Sequence, residues 1–429
     1  MSKSYCGACR GERGCADCQA TGGLVQYNGL TDFFVPESAG RQFRENVVIQ
    51  ENGSVIPWQK ELLLAADLGT TTLAFVCADA CGEVLVSYGC ENPQRKTAAD
   101  VIGRIDAALH GQGESLTNEI REALGKGFLF VLTKGLEILA ERGIYNNDEI
   151  RVKVGIAGNT VMQHLLLRYP LEGMAKAPFK PYTTAKTVVR FSELFSDTEE
   201  NCTVPQILKI AEVTIFPCLS AFVGGDAVSG ANAVFSRDQK RVELLIDLGT
   251  NGELILSDKG KWYGTAAAMG SAMEGGRYAY VSDLFRKIAK ALADGVLDET
   301  GLLREPYFTE GYEGLLQEDV REFQMAKGAI RAGIELLCGY AAVSPEQVER
   351  IYIAGGVGKY CETEDLFRTG LLPKEFTGKA IPVGNSSVGG ILYCLLIGKG
   401  MIYCKGECLN LAEQPEFEET YYRFMNFEC

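Results

Sequence analysis

Apolar positions in this chain gather into short unbroken runs and then give way to helical spacing, and the alternation happens twice. Between residues 62 and 91 the runs "LLLAADLG", "TTLAFVCAD" and "EVLVSYGCE" follow one another. Apolar runs bounded by turn residues predict strands, and the turn at Asp79–Gly82 makes the three a β-meander. Helical periodicity follows in "TAADVIGRIDAALH" and "SLTNEIREALGKGFLFVLTKGLEILAERG", the second closed by Gly143 as a C-cap. "VKVGIAGNT" predicts a strand and turn, and "VMQHLLLRY" a helix stopped by Pro170.

The second half restarts the series. "VELLIDLGTNGELILSDKGKWYGTAA" predicts three strands joined by two turns, and "EDVREFQMAKGAIRAGIELLCGYA" a long helix. Ser344-Pro345-Glu346-Gln347 has the form of a capping box with proline at its first position, which predicts a further helix start. "RIYIAGGVGKY" predicts a buried strand opening on a glycine turn. Strands alternating with helices predict α/β halves whose ligand loops lie at the carboxyl ends of strands. The expected organisation is a cysteine-rich head at 1–23, a linker with a hairpin at 24–60, a first half at 61–235, a second at 236–398, and a cysteine-containing tail at 399–429.

Within this pattern one phrase recurs: an apolar run, then Asp67-Leu68-Gly69-Thr70-Thr71-Thr72, and later Asp247-Leu248-Gly249-Thr250-Asn251-Gly252. The glycine permits close backbone approach, and turn N–H groups with threonine hydroxyls can surround an anion. An aspartate beside that anion calls for a hard cation between them, and Mg²⁺ commonly binds one carboxylate plus substrate phosphates. Either copy alone is equally well a hairpin. The duplication favours two similar halves serving one ligand. Ile353-Ala354-Gly355-Gly356-Val357-Gly358 offers a backbone that can press against a nucleoside, or a plain tight turn.

Composition narrows the partners. A net charge of −14 argues against nucleic acid or an anionic membrane. The first residues, MSKSYCGACR, lack the apolar core of a signal peptide, so the expected location is the cytoplasm. Fifteen cysteines then point to reduced thiols or metal sites. Cys6-x-x-Cys9 and Cys15-x-x-Cys18 direct four sulfurs to one metal, a set that suits an iron–sulfur cluster or Zn²⁺. Cys404, Cys408 and Cys429 form a looser group, and the remaining cysteines read as small core residues. His164 reads as a packed helix histidine.

Two DLGT-type turns followed by AGG-type glycines resemble the superfamily of sugar kinases, heat-shock chaperone ATPases and actin. "ENPQRKTAADVIGRI", "GNTVMQHLLL" with "APFKPY" after it, "AFVGGDAV", "GSAMEGG", "MAKGAIRAGI" and "VGNSSVGG" are similar to one branch of it. That branch is the ATPase domain of reductive activators of corrinoid proteins, and the resemblance spans roughly residues 62–398. The C-x4-C-x2-C spacing of the plant-type ferredoxin domain usual in such proteins is absent here.

The resemblance implies two actin-like (ribonuclease H-like) α/β halves with a nucleotide cleft between them. It implies Mg²⁺ held by Asp67 and Asp247, phosphates lined by Gly69, Thr70, Thr71, Gly249, Thr250 and Asn251, and adenosine faced by Gly355, Gly356 and Gly358. Gln324 and Lys327 would flank the nucleoside, with a solvated lysine as the alternative for Lys327. Asp226 would sit where related sugar kinases place their base, although a helix N-cap explains an aspartate there equally well. The implied activity is an ATPase that reductively activates a corrinoid or related low-potential metalloprotein. ATP, Mg²⁺ and a [4Fe–4S] cluster on Cys6, Cys9, Cys15 and Cys18 (or Zn²⁺ instead) are the implied cofactors. A ferredoxin and a second copy of the chain are candidate further partners. A small-molecule kinase and a non-redox nucleotide-dependent binding switch are the alternatives.

Overall fold

The computed structural model describes residues 61–143, 150–195, 204–236, 240–249, 251–270, 281–304, 314–397 and 402–427. The head cysteines, the linker, Thr250, Cys202 and Cys429 lie outside these residues. The chain forms two compact units. One runs to Ala233 and takes in Ser386–Cys404; the other comprises Val234–Asn385 and the chain from Lys405. The sequence boundaries differ from this division chiefly at residues 386–398, which the second half was expected to keep.

The first unit is built on β1 (Glu61–Leu68), β2 (Thr72–Asp79), β3 (Val84–Glu91), β4 (Arg151–Gly158), β5 (Thr187–Arg190) and β6 (Glu212–Ile215), in the order β3-β2-β1-β4-β6-β5. β1 pairs antiparallel with β2 and parallel with β4. The run "LLLAA" is continuous because both faces of β1 are covered, as a central strand with a parallel neighbour requires. Leu62, Leu64, Ala66 and Leu68 join one apolar cluster, and Leu63 and Ala65 another.

The two helices expected after the meander run nearly end to end. α1 (Val101–Ala107), capped by the Asp100 side chain accepting from Gly103 N–H, runs through one wide turn into α2 (Gly113–Glu141). Gly111 in that turn has φ 93°, the left-handed region, which marks the break seen in the sequence as "HGQGE". Gly143 ends α2 with φ 70°, as its C-cap position predicts.

The second unit repeats the plan with β7 (Glu243–Leu248), β8 (Asn251–Asp258), β9 (Lys261–Ala268), β10 (Arg350–Ala354), β11 (Ala380–Gly384) and β12 (Gly406–Cys408). Its order is β11-β10-β7-β8-β9-β12. Stripped of one edge strand each, the two sheets share one topology: meander, central strand, parallel neighbour, parallel edge. The repeat in the sequence is therefore a repeat of architecture. Ser344–Gln347 does make its reciprocal box, with Ser344 N–H donating to Gln347 Oε1 at 2.8 Å, but it caps only the 3₁₀ turn Pro345–Gln347. β10 begins at Arg350, so no room remains for the expected helix. β5 and β6, four residues each, carried too short a pattern to be predicted.

Two further helices position the site of the first unit, α4 (Gly225–Val234) and α8 (Ser386–Ile397); α3 (Thr160–Leu167) belongs to the same unit, and α5 (Val281–Ala293), α6 (Gln317–Tyr340) and α7 (Gly355–Tyr360) to the second. α8 brings Val388, Ile391, Leu392 and Leu395 onto the face formed by Leu63, Ala65 and Val76. α4 and α8 touch backbone to backbone, since a Cβ on Gly390 would lie 1.7 Å from the Ser229 carbonyl oxygen.

Burial pushes the thiols of Cys77, Cys218, Cys338 and Cys361 up to about 12 and that of Cys90 to about 11, so these are inert core residues, as expected. Cys81 departs from the expectation: it is exposed in the β2–β3 turn. Among the described residues no helix is long and apolar enough to cross a membrane. Gly390→Ala is expected to destabilise the protein by about 2 kcal/mol or more, because neither backbone at the crossing can yield cheaply. Thermal unfolding of the variant checks this, and an unchanged midpoint would refute the close crossing.

Candidate functional site

In the first unit the site grows from the end of β1. Asp67 and Gly69 are partly exposed while Leu68 between them is buried, the alternation that a strand imposes. A Cβ on Gly69 would fall 2.5 Å from the Thr72 carbonyl oxygen, so the turn closes only around glycine. Ser387 Oγ, on the first turn of α8, donates to Asp67 Oδ1 at 3.1 Å, and Ser229 Oγ donates to the Ser387 carbonyl at 3.1 Å.

Asp226 stands in the first turn of α4, and Ala227 N–H donates to its Oδ1 at 2.9 Å. Asp226 is thus the second residue of the helix and not its N-cap. Gly224 and Gly225 before it are demanded by packing: a Cβ on Gly224 would lie 2.7 Å from the Gly158 carbonyl oxygen, and one on Gly225 2.1 Å from Gln163 Nε2. Burial first, and the charge of Asp67 second, push the Asp226 carboxyl up from 3.8 to about 7. A buried carboxyl raised beside a second carboxylate would be favoured as its charged form by a divalent cation, whose charge would reverse the shift.

The second unit presents the same turn. Asp247 and Gly249 are partly exposed around buried Leu248. Gly355, with φ 76°, bridges to Leu248, and a Cβ there would sit 2.3 Å from the Leu248 carbonyl oxygen and 2.9 Å from Asp247 Oδ1. The first unit contains the matching contact, for a Cβ on Gly158 would lie 2.5 Å from the Leu68 carbonyl oxygen. Both glycines follow an Ile-Ala pair, at 156–158 and 353–355, and this second repeated phrase was missed in the sequence. Gly358 is packed against the Ile353 carbonyl, whereas a Cβ on Gly356 would meet nothing within 4 Å and one on Gly249 only the Asn251 carbonyl at 3.9 Å. Of the phosphate-lining candidates of this unit, Asn251 opens β8 and Thr250 lies outside the described residues.

Gln324 and Lys327 stand elsewhere in the bonding scheme. Both are buried on α6, where Gln324 Nε2 donates to the Met425 carbonyl at 3.1 Å and Lys327 Nζ to the Phe424 carbonyl at 2.8 Å and to that of Asn426. The ammonium also lies 5.2 Å from the centre of the Phe427 ring. A solvated lysine does not describe these contacts; the two side chains fasten the C-terminal segment, α9 (Phe417–Met425), to α6. A buried ammonium needs such carbonyls, and the sequence did not show that its own C-terminus supplies them.

His164 is buried and donates from Nδ1 to the Thr160 carbonyl, 2.8 Å away, and burial lowers its pKa, so it is a neutral packed histidine as expected. Among the described residues no group of three His, Cys, Asp or Glu side chains is placed to hold a metal ion directly. Cys404 and Cys408 thus make no such group with described neighbours, and Cys6, Cys9, Cys15 and Cys18 lie outside the described residues.

Comparison with known proteins agrees with this geometry. Residues 62–236 match the RACo middle region, and residues 241–280 and 310–428 match the C-terminal domain of RACo, the ASKHA domain. The chain belongs to the RACo family. It is 26% identical over 426 residues to the corrinoid activation enzyme RamQ of Eubacterium limosum, covering 83% of this chain and 69% of that protein. It is 23% identical over 237 residues to the [Co(II) methylated amine-specific corrinoid protein] reductase of Methanosarcina barkeri, covering 42% of this chain and 44% of the other. The solved structure of a reductive activator for corrinoid, iron–sulfur protein superposes with a TM-score of 0.71 at 23% identity, over 87% of this chain and 67% of that one. The fold is thus the actin-like one that the motifs implied.

The raised Asp226 carboxyl has a measurable sign. A group whose folded pKa lies near 7, above its unfolded 3.8, binds its proton more tightly in the folded state. Its stabilising effect is complete at low pH, declines as pH rises from about 4 to about 7, and changes no further above that. The unfolding midpoint of the metal-free protein is expected to carry this slope and Asp226→Asn to lack it. Added Mg²⁺ should stabilise the wild type more at pH 8 than at pH 5. Identical pH profiles for wild type and variant would remove the carboxylate pair from the site.

Proposed function

We propose that the chain is an ATP-dependent reductive activator of a corrinoid protein, with Mg-ATP as the ligand of its two Asp-Leu-Gly turns. The observation that carries this reading is the matched pair of turns, Asp67 with Gly158 behind it and Asp247 with Gly355 behind it, in a chain of the RACo family. Gly69, Thr70, Thr71, Gly249, Thr250 and Asn251 would line the phosphates, and Gly355, Gly356 and Gly358 the adenosine. Mg²⁺ would supply charge neutralisation at the transferred phosphoryl group. Asp67 and Asp247 would orient its waters, and Asp226 would orient the attacking water.

Reducing a corrinoid cobalt at low potential is uphill, and for one electron each 59 mV or so costs about 1.4 kcal/mol. ATP helps only by favouring one conformation of the complex over another. The partner must then change nucleotide affinity by the same factor as nucleotide changes partner affinity. We further propose that Cys6, Cys9, Cys15 and Cys18 hold one metal centre, a [4Fe–4S] cluster with Zn²⁺ as the alternative, and that the protein acts in the cytoplasm with a ferredoxin as donor.

Three measurements test this. Wild-type protein should hydrolyse Mg-ATP slowly and Asp247→Ala should not; equal rates would make the nucleotide assignment wrong. With a corrinoid protein and a low-potential reductant, ATP should accelerate formation of the reduced cobalt spectrum. If it never does, and a sugar or small acid gains phosphate with Asp226 as base, the protein is a kinase. Iron and acid-labile sulfide, assayed on protein purified without oxygen, should vanish in a Cys6→Ser, Cys9→Ser double variant. Metal retained in full by that variant would move the centre away from the head.

A further inference from the structure

Three successive carbonyls of the Asp67 turn are taken up by residues from the "ENPQRKTAADVIGRI" stretch. Asn92 Nδ2 donates to the Gly69 oxygen at 2.8 Å, Arg104 Nη2 to the Thr70 oxygen at 2.6 Å, and the Asn92 backbone N–H to the Thr71 oxygen at 2.9 Å. Asn92 and Arg104 are both 0% exposed. In a trans peptide the C=O and N–H point in opposite directions. The bond at Gly69 therefore turns the Thr70 N–H away from its buried donor, and the bond at Thr70 does the same for the Thr71 N–H. Consecutive N–H groups displayed by a tight turn form an anion-binding concavity.

Arg104 carries a second peculiarity. Its other hydrogen bonds go to the Ala98 carbonyl at 3.2 Å and the Met162 sulfur at 2.9 Å, both neutral. Among the described residues no carboxylate forms an ion pair with it; Asp100 and Glu119 act on it only through space. Burial lowers its pKa to about 10, which leaves it a cation at neutral pH. A buried cation among neutral partners is costly unless an anion arrives to offset it. The polarised Thr70–Thr71 peptide lies between the guanidinium and the place where such an anion would bind.

We propose that Asn92 and Arg104 are positioning residues that preform the Thr70–Thr71 turn for the phosphates of a nucleoside triphosphate, with Arg104 as their buried counter-charge. The proposal rests on the nucleotide reading above. It is tested by calorimetric titration of Mg-ATP and Mg-ADP into full-length wild type, Arg104→Met, Arg104→Lys and Asn92→Asp, with unfolding midpoints recorded without nucleotide.

Arg104→Met should bind Mg-ATP about tenfold or more weakly, the size expected of a partly screened charge–charge contact, with a smaller loss for Mg-ADP. Its midpoint should hold or rise, since the uncompensated charge is gone, and Arg104→Lys should recover part of the affinity. A lowered midpoint with wild-type ATP affinity would make Arg104 a structural residue only. Equal losses in Met and Lys variants would show that the charge plays no part. If Arg104→Met does not fold, Asn92→Asp decides: it is isosteric, keeps the acceptor for Gln94 N–H, loses the donor to Gly69 and brings a negative charge behind the turn. Wild-type ATP affinity in that variant would overturn the proposal. If the wild type itself takes up no Mg-ATP, the nucleotide reading fails and this inference with it.

Discussion

The burial of the Asp226 carboxyl beside Asp67 is the constraint around which this site of the first unit is arranged. Left to itself, a buried carboxyl beside a second carboxylate would swing away or keep a proton, and the carboxyl near 7, raised by burial first and by the charge of Asp67 second, records the second response. The backbone prevents the first. Gly224 and Gly225 lock the start of α4 against Gly158 and Gln163, and Gly390 lets α8 lie directly on Ser229 with Ser387 reaching Asp67. Each of these glycines is chosen by a neighbour less than 3 Å from where a side chain would begin. The fold thus holds the two carboxyls close although the charge of one raises the other.

The second unit meets a similar demand by simpler means. Asp247 has Gly355 pressed beside it, with the Leu248 carbonyl as the common reference. That the same glycine-to-leucine contact occurs at Gly158 and Leu68 shows how the two sheets were kept in step. The parallel strand after the meander must end at one residue, and that residue must lack a side chain. Register fixes it: Leu68 pairs with Gly158, and Leu248 bridges to Gly355.

Much of this was readable in the chain. The doubled Asp-Leu-Gly phrase, the meanders and the long helices follow from apolar spacing, because central strands and helix faces impose short periods on sequence. What escaped notice depends on distant neighbours. The Ile-Ala-Gly pair was visible at 156 and 353 but gains meaning only from strand pairing. Asn92 and Arg104 sit inside a recognisable motif, yet nothing local tells that they grip the carbonyls of Gly69, Thr70 and Thr71. Lys327 had the look of a surface lysine, because the carbonyls that receive it come from residues 424 and 426. The head lies outside the described residues, so its four cysteines rest on spacing.

The placement of α8 has a consequence for how the protein is made. Leu63, Ala65 and Val76 emerge early from the ribosome, but the helix that covers them is encoded more than 300 residues after β1 begins. Only Asn385 separates that helix from β11. The first sheet must therefore wait, with one apolar face bare, until the whole of the second sheet's parallel core has been synthesised. A nascent chain in that state presents a surface prone to association and suited to chaperone capture. A fragment ending at Ala233 would inherit the same bare face permanently, so the two halves that look separable in the sequence are not separable in biosynthesis.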